Sequence, residues 1–68
     1  MGVVRYNNAR WIAIRRAYDE YLRTHPDDNE SKENFASMRP FGEKYMTVMA
    51  ALENYISDSD GRIQPKGW

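Results

Sequence analysis

The sequence predicts an all-α fold, a small helical hairpin of two long amphipathic helices joined by a short bridging helix. Two apolar stripes at helical spacing, separated by one acidic, turn-rich break, support this prediction. The chain is short enough to form a single domain. We divide residues 1–68 into an extended segment 1–7, a helix 8–24, an acidic turn region 25–39 with a short helix, a helix 40–57 and a flexible tail 58–68.

The first helix carries its apolar residues on one side. Two asparagines before residue 9 are suitable N-caps, because their side chains accept hydrogen bonds from the free amides of a first turn. At a helical step the apolar side chains fall within an arc of about 140°. Two i, i+4 ion pairs, Arg15–Asp19 and Arg16–Glu20, are expected on the remaining surface. The apolar arc contains Trp11, Ile14, Ala17, Tyr18, Tyr21 and Leu22.

The break between the stripes contains Pro26, which disfavours helical geometry at the residue before it. The Asx residues that follow it are candidates to cap a short helix near residues 29–37. Phe35 is the one large apolar residue that can anchor this helix in a core. The candidate caps are Asp27, Asp28 and Asn29.

The second long helix is predicted to begin near Pro40, which is tolerated in a first turn. Its apolar arc spans about 120°. Gly61 can take the left-handed conformation that closes a helix. The arc contains Phe41, Tyr45, Val48, Met49, Leu52, Tyr55 and Ile56.

Self-association is expected because the chain is small. A domain of this size buries only about 60% of the surface that its unfolded chain exposes. The 68 residues include no Cys and one His, so neither a disulfide nor a structural zinc site is expected. We therefore expect a homodimer with a four-helix core, or a larger protein partner that covers the apolar faces. The tyrosines suit the edges of this core, where hydroxyls reach water: Tyr18, Tyr21, Tyr45 and Tyr55.

The formal net charge is zero, but the charges are unevenly placed. Residues 1–25 carry five Arg and two acidic residues, whereas residues 26–68 carry five basic and eight acidic residues. The two halves should therefore attract each other. No apolar run approaches the about 18 residues of a membrane span, and the N-terminal residues lack the apolar core of a signal peptide. We expect a cytoplasmic protein that contacts no membrane.

The residues do not predict an enzyme. His25 is the only histidine, and it lies beside a proline in a loop without an orienting partner. The neighbouring pair Asp27 and Asp28 is ordinary turn chemistry. The four glycines are scattered, so no phosphate-binding glycine loop is present. We therefore expect no catalytic residue, cofactor, metal or small-molecule substrate.

These observations favour a non-enzymatic protein–protein interaction module, such as a small regulator or inhibitor of a larger intracellular complex. A compact viral or mobile-element protein would fit this description. Ile12 and Met46 fall outside the apolar arcs, and Trp and Arg are enriched at interface hot spots. The predicted partner-binding residues are Ile12, Arg16, Arg23, Arg62 and Trp68.

Two other functions stay open. The first helix interleaves Arg with aromatic residues, and such a mixture contacts phosphates and stacks bases. Against this, Arg16 and Arg23 lie opposite the aromatic arc, and the neutral net charge is not typical of nucleic-acid-binding proteins. The other alternative is a structural subunit of a helical assembly. A nucleic-acid-binding accessory protein would use Arg5, Arg10, Arg15, Arg16 and Arg23.

Overall fold

A computed structural model describes residues 9–66 and shows a mostly helical chain with a small two-stranded sheet. The two strands pair antiparallel, with Ile56 opposite Gln64. A mostly helical fold is thus confirmed for these residues, but a β-hairpin follows the helices. The elements are α1 (Ala9–Thr24), α2 (Ser31–Ser37), a 3₁₀ turn (Pro40–Gly42), α3 (Tyr45–Asn54), β1 (Tyr55–Ser57) and β2 (Ile63–Pro65).

Helix α1 agrees with the first predicted helix wherever the structure describes it, and all six residues of its predicted apolar arc contribute to the core. Arg15 pairs with Asp19, with 3.2 Å between Nη2 and Oδ1, as the i, i+4 spacing predicts. The second predicted pair is wrong, because Glu20 pairs with Arg23 instead of Arg16. The predicted extended segment 1–7 lies outside the described residues.

The hydrophobic core is formed by three helices of one chain. The ring of Phe35 from α2 lies against Tyr18 and Tyr21 of α1, with ring centroids 5.4 and 5.6 Å apart. The apolar faces expected to close a dimer therefore contact each other within the chain. The homodimer stays a prediction, and it would need a different surface. The buried cluster contains Ile14, Tyr18, Phe35, Ala36, Val48, Ala51 and Leu52.

The second long helix begins later than predicted. Arg39, Phe41 and Gly42 have positive φ angles of 51°, 59° and 74°, which an α-helix does not tolerate. Pro40 favours this break because it disfavours the helical region at Arg39. Helix α3 therefore begins at Tyr45. Phe41 was expected in the core, and that prediction is wrong because the turn directs its side chain into solvent.

The described part of the predicted tail 58–68 forms the turn and the second strand of a β-hairpin whose first strand is β1. The backbone N–H of Asp58 donates to the carbonyl of Arg62 at 2.9 Å, and the N–H of Gly61 donates to the carbonyl of Asp58 at 3.0 Å. The Asp58 carboxylate also accepts the N–H groups of Asp60 and Arg62, both at 2.9 Å. Gly61 has a φ of 83°, so it is left-handed as predicted, but it closes this hairpin instead of a helix.

Tyr55 is fully buried at the start of β1. Its ring packs edge-on against Trp11, with 6.1 Å between the ring centroids. Its hydroxyl has no hydrogen-bond partner within residues 9–66, whereas the Tyr18 hydroxyl lies 2.7 Å from the Ser31 hydroxyl. The expectation that Tyr55 lies at the edge of the core is wrong, because the strand carries this residue into the core.

We expect Tyr55→Phe to raise the free energy of unfolding by about 1 kcal/mol, because a buried hydroxyl without a partner costs about 1–3 kcal/mol. Urea unfolding followed by circular dichroism measures the change. Tyr18→Phe is the matched control, and it should lower the free energy of unfolding by about 1 kcal/mol because its hydroxyl is bonded to Ser31. A Tyr55→Phe protein less stable than the parent would contradict the prediction.

Asp28 organises the acidic turn before α2. Its carboxylate accepts hydrogen bonds from the Tyr21 hydroxyl at 2.6 Å, from the Asn34 side-chain amide at 3.0 and 3.1 Å, and from the Glu30 N–H at 3.0 Å. The hydrogen bond from Tyr21, followed by that from Asn34, lowers the pKa of Asp28. The same bond raises the pKa of Tyr21. The prediction that one of the Asx residues caps α2 is wrong, because the N-cap is Glu30 and makes no side-chain cap hydrogen bond. Asp28 instead holds the turn before the helix.

Stability should fall in acid as Asp28 becomes protonated. Because the pKa of Asp28 is lower in the folded chain than in the unfolded chain, its contribution is complete above the unfolded pKa of about 4. The contribution is then lost as the pH falls through the folded pKa. Melting temperatures measured against pH should give a flatter acid profile for Asp28→Asn than for the parent.

The control for this pH profile concerns Glu43. Its pKa is also lowered, chiefly by a hydrogen bond from Arg10, so it loses its contribution in the same pH range. The chain with Asp28 and the Asp28→Asn variant are therefore both measured with Glu43→Gln added. Identical acid slopes with and without Asp28 would show that this carboxylate does not link pH to stability.

Candidate functional site

Four large apolar side chains are exposed in one short stretch of the chain. The exposed fractions are 64% for Met38, 67% for Phe41, 41% for Tyr45 and 80% for Met46. We call these four side chains the 38–46 surface. Within residues 9–66 they are the large hydrophobic residues that the fold leaves exposed. One exposed apolar residue is ordinary, but several that occur together are typical of interaction surfaces.

An unfavourable backbone conformation holds Phe41 in solvent. Arg39 (φ 51°, ψ 59°) and Phe41 (φ 59°, ψ 17°) are both left-handed, which costs a residue with a side chain about 1–2 kcal/mol. Two backbone hydrogen bonds maintain the turn, from the Gly42 N–H to the Arg39 carbonyl at 2.9 Å and from the Glu43 N–H to the Pro40 carbonyl at 3.0 Å. Backbone strain of this kind is concentrated at functional sites.

A cleft of about 300 Å³ lies beside Phe41, between the turn and α1. Arg10 and Glu43 form a bidentate ion pair in its wall, with Nε 2.9 Å from Oε2 and Nη2 2.6 Å from Oε1. These hydrogen bonds raise the pKa of Arg10 and lower that of Glu43. The pair joins the turn to α1 and leaves neither charge without a partner. The cleft is lined by Ala9, Arg10, Ala13, Phe41 and Glu43.

Two cations in the same stretch, one on each side of Phe41 in the sequence, have no acidic partner within residues 9–66. Arg39 is exposed, and its Nε donates only to the carbonyl of Glu43, at 3.4 Å. Lys44 is exposed and makes no ion pair within residues 9–66. Because Arg10 already neutralises Glu43, the stretch 38–46 presents a positive charge beside its apolar side chains.

Three of the predicted partner-binding residues lie on one face of α1, because Ile12, Arg16 and Arg23 are four and then seven residues apart in that helix. Ile12 is half-buried, whereas Arg16 and Arg62 are exposed on different elements. Arg23 is exposed and paired with Glu20. Trp68 lies outside the described residues. No hydrogen bond or ion pair joins the described members of this set, and their role in partner binding stays a prediction.

The arginines predicted to contact phosphate are mostly engaged with carboxylates. Arg15 is the most enclosed of them, since its side chain is 16% exposed and lies over the Tyr18 ring at 5.2 Å. Arg16 is exposed and makes no ion pair in the described part of the chain, and Arg5 lies outside that part. Helix α1 therefore presents one unpaired arginine of this set. The ion pairs are Arg10–Glu43, Arg15–Asp19 and Arg23–Glu20.

The 38–46 surface could not be predicted from the apolar periodicity of the sequence. Phe41 and Tyr45 continue the helical spacing of Val48, and this continuity assigns them to a buried face. A signal was nevertheless present, because Pro40 and Gly42 flank Phe41 and such residues mark turns. Met46 is the one member of the surface that the apolar arc already placed outside the core.

None of the helices within residues 9–66 is long and apolar enough to cross a membrane. Among the same residues, no group of three or more His, Cys, Asp or Glu side chains is arranged to hold a metal ion. No family model, curated protein or solved structure matches the chain. The fold and the site thus define a small, mostly helical domain with an exposed apolar surface, and function is argued from that surface.

Proposed function

We propose that this protein is a non-enzymatic protein–protein interaction module, a small regulator or inhibitor of a larger complex, which binds its partner through the 38–46 surface. The observation that carries the proposal is the exposure of Phe41 on a strained turn. The stability of the fold does not explain this arrangement. An exposed ring contributes little hydrophobic stabilisation to the folded chain, and the left-handed backbone of the turn is unfavourable. Contact with a partner would bury the ring and give the turn its role.

The residue types of this surface also support an interaction function. Met, Phe, Tyr and Arg are enriched at the cores of protein interfaces, whereas Lys and Glu are depleted there. The exposed side chains of this surface are Met, Phe and Tyr. The exposed Arg39 lies in the same stretch of the chain. The 38–46 surface is therefore the proposed centre of the interface. The roles of Arg16 and Arg62 stay predictions.

Site-specific photo-crosslinking tests the proposal. A benzophenone amino acid replaces Met46, the most exposed large side chain, in the full chain, and the protein is irradiated in extract from its source cells. We expect a discrete crosslinked product that disappears when Phe41→Gly is added. The same amino acid at Arg16, which is exposed on α1, is the matched control position.

The control position also decides between the 38–46 surface and the exposed face of α1 as the interface. A product from position 16 and none from position 46 would move the interface to α1, where the sequence pattern predicted it. A product from position 46 that persists in Phe41→Gly would show that Phe41 is not an anchor. No product from either position would contradict the interaction function.

A further inference from the structure

We infer that the partner contributes a segment with one large apolar side chain flanked by carboxylates, and that this apolar side chain enters the cleft beside Phe41. The inference rests on the proposed function and adds the chemistry of the partner. The shape of the cleft, the two unpaired cations and the distribution of exposed apolar residues carry it.

The cleft fits an apolar side chain. Its volume of about 300 Å³ is at the small end of ligand pockets and suits one large side chain better than a cofactor. Ala9 and Ala13 provide small walls on α1, and Phe41 provides an aromatic wall. Arg10 and Glu43 satisfy each other, so the polar part of the wall requires no further ionic partner.

The flanking cations require carboxylates. Arg39 and Lys44 lie in the same stretch as the exposed apolar side chains, and a partner that covers the stretch removes water from both. Desolvation of a cation is unfavourable unless an anion pairs with it. A carboxylate beside the apolar anchor provides that pairing, and Arg39 can accept one in bidentate geometry.

A second copy of the chain does not fit these features. A symmetric contact places the same surface of both copies together, so it brings the unpaired charges of Arg39 and Lys44 from both copies into one interface. Like charges in one interface are unfavourable. An asymmetric contact needs an exposed large apolar side chain elsewhere, and within residues 9–66 all of them belong to the 38–46 surface.

An anionic membrane is also less suitable than a peptide segment. Two cations give a weak attraction to an anionic bilayer, since stable binding takes a cluster of basic residues. A bilayer surface also has no single side chain to fill the concave space beside Phe41. The cleft and the two unpaired cations together favour a protein partner.

Selection from a random linear peptide library displayed on phage tests this inference with the full chain as the target. We expect the enriched peptides to share a large apolar residue with Asp or Glu on both sides. Lys44→Glu and Phe41→Gly should each weaken binding of a synthesised enriched peptide by at least about tenfold, as anchor residues do. Lys66→Glu is the matched charge reversal of an exposed lysine outside the 38–46 surface and should leave binding unchanged.

Loss of folding does not explain the effect of Lys44→Glu. Lys44 is the N-cap residue of α3 and makes no side-chain cap hydrogen bond, and a carboxylate at a helix N-terminus is favourable. Circular dichroism of the variant should therefore match that of the parent. A helical Lys44→Glu protein that has lost the peptide supports the inference.

Other results would overturn the inference. Enriched peptides that are basic or uncharged, or an affinity unaffected by Lys44→Glu, contradict the proposed partner chemistry. Phe41-dependent dimers in light scattering assign the surface to a second copy, and Phe41-dependent binding to phosphatidylserine vesicles assigns it to a membrane. Absence of any enriched peptide also overturns it. The photo-crosslinking experiment separates this failure from failure of the proposed function. If position 46 still gives a crosslink that depends on Phe41, the interaction function stands and only the inferred partner chemistry is wrong.

Discussion

Phe35→Ala is expected to lower the free energy of unfolding by about 3–5 kcal/mol, the cost of emptying a buried aromatic site. Phe35 is 4% exposed, and its ring contacts both Tyr18 and Tyr21. It is also the large side chain through which α2 joins the core, since the other buried residue of that helix is Ala36. Small domains have only about 5–15 kcal/mol in total, so the variant should unfold near room temperature.

Met46→Ala is the matched control for this prediction. It also removes a large apolar side chain, but one that is 80% exposed, so stability should change by no more than about 0.5 kcal/mol. Urea unfolding followed by circular dichroism measures both variants. Equal effects of Phe35→Ala and Met46→Ala would show that α2 is not packed on α1 in solution.

The first helix and most of the core could be predicted from the sequence. Periodicity was sufficient there because α1 runs without Pro or Gly, so the helical step relates Trp11 to Leu22 without interruption. Phe35 was also correctly predicted as the anchor of α2. Where local propensity and burial favour the same structure, a pattern in the sequence is reliable.

The end of the second helix could not be predicted from periodicity. Tyr55 and Ile56 continue the helical spacing, but both are also favourable strand residues. Pairing with β2 decides between these conformations, because Tyr55 lies opposite Pro65 and Ser57 opposite Ile63. Such pairing depends on contacts across a turn, and the helical pattern of α3 contains no information about it.

The candidate site depended on geometry that the sequence pattern does not contain. The exposure of Phe41 follows from its left-handed backbone, and the spacing of apolar residues does not report φ. Arg10 and Glu43 are 33 positions apart, so their ion pair follows from the fold. The predicted attraction between the basic first part of the chain and the acidic second part is nevertheless consistent with this pair.

Comparison of Phe41→Gly with Phe41→Ala should show separately how the backbone of the turn affects stability and how the ring affects binding. Gly adopts the left-handed conformation freely, whereas Ala at φ 59° retains most of the strain. We therefore expect Phe41→Gly to be about 1 kcal/mol more stable than Phe41→Ala, since the left-handed conformation costs about 1–2 kcal/mol. Both variants lack the ring and should lose partner binding equally, by at least about tenfold. Urea unfolding and peptide affinity of the same two proteins provide the measurements.

The comparison of these two variants tests why the chain has Phe at position 41. If Phe41→Gly is more stable than Phe41→Ala and both lose binding, a residue with a side chain strains this turn, and the role of the ring is contact with a partner. Equal stability of the two variants would show that the turn is not strained in solution. A Phe41→Ala protein that keeps the affinity of the parent would remove Phe41 from the interface. The gain in stability and the loss of binding must occur together because the proposed function attributes the strained turn to the exposed ring.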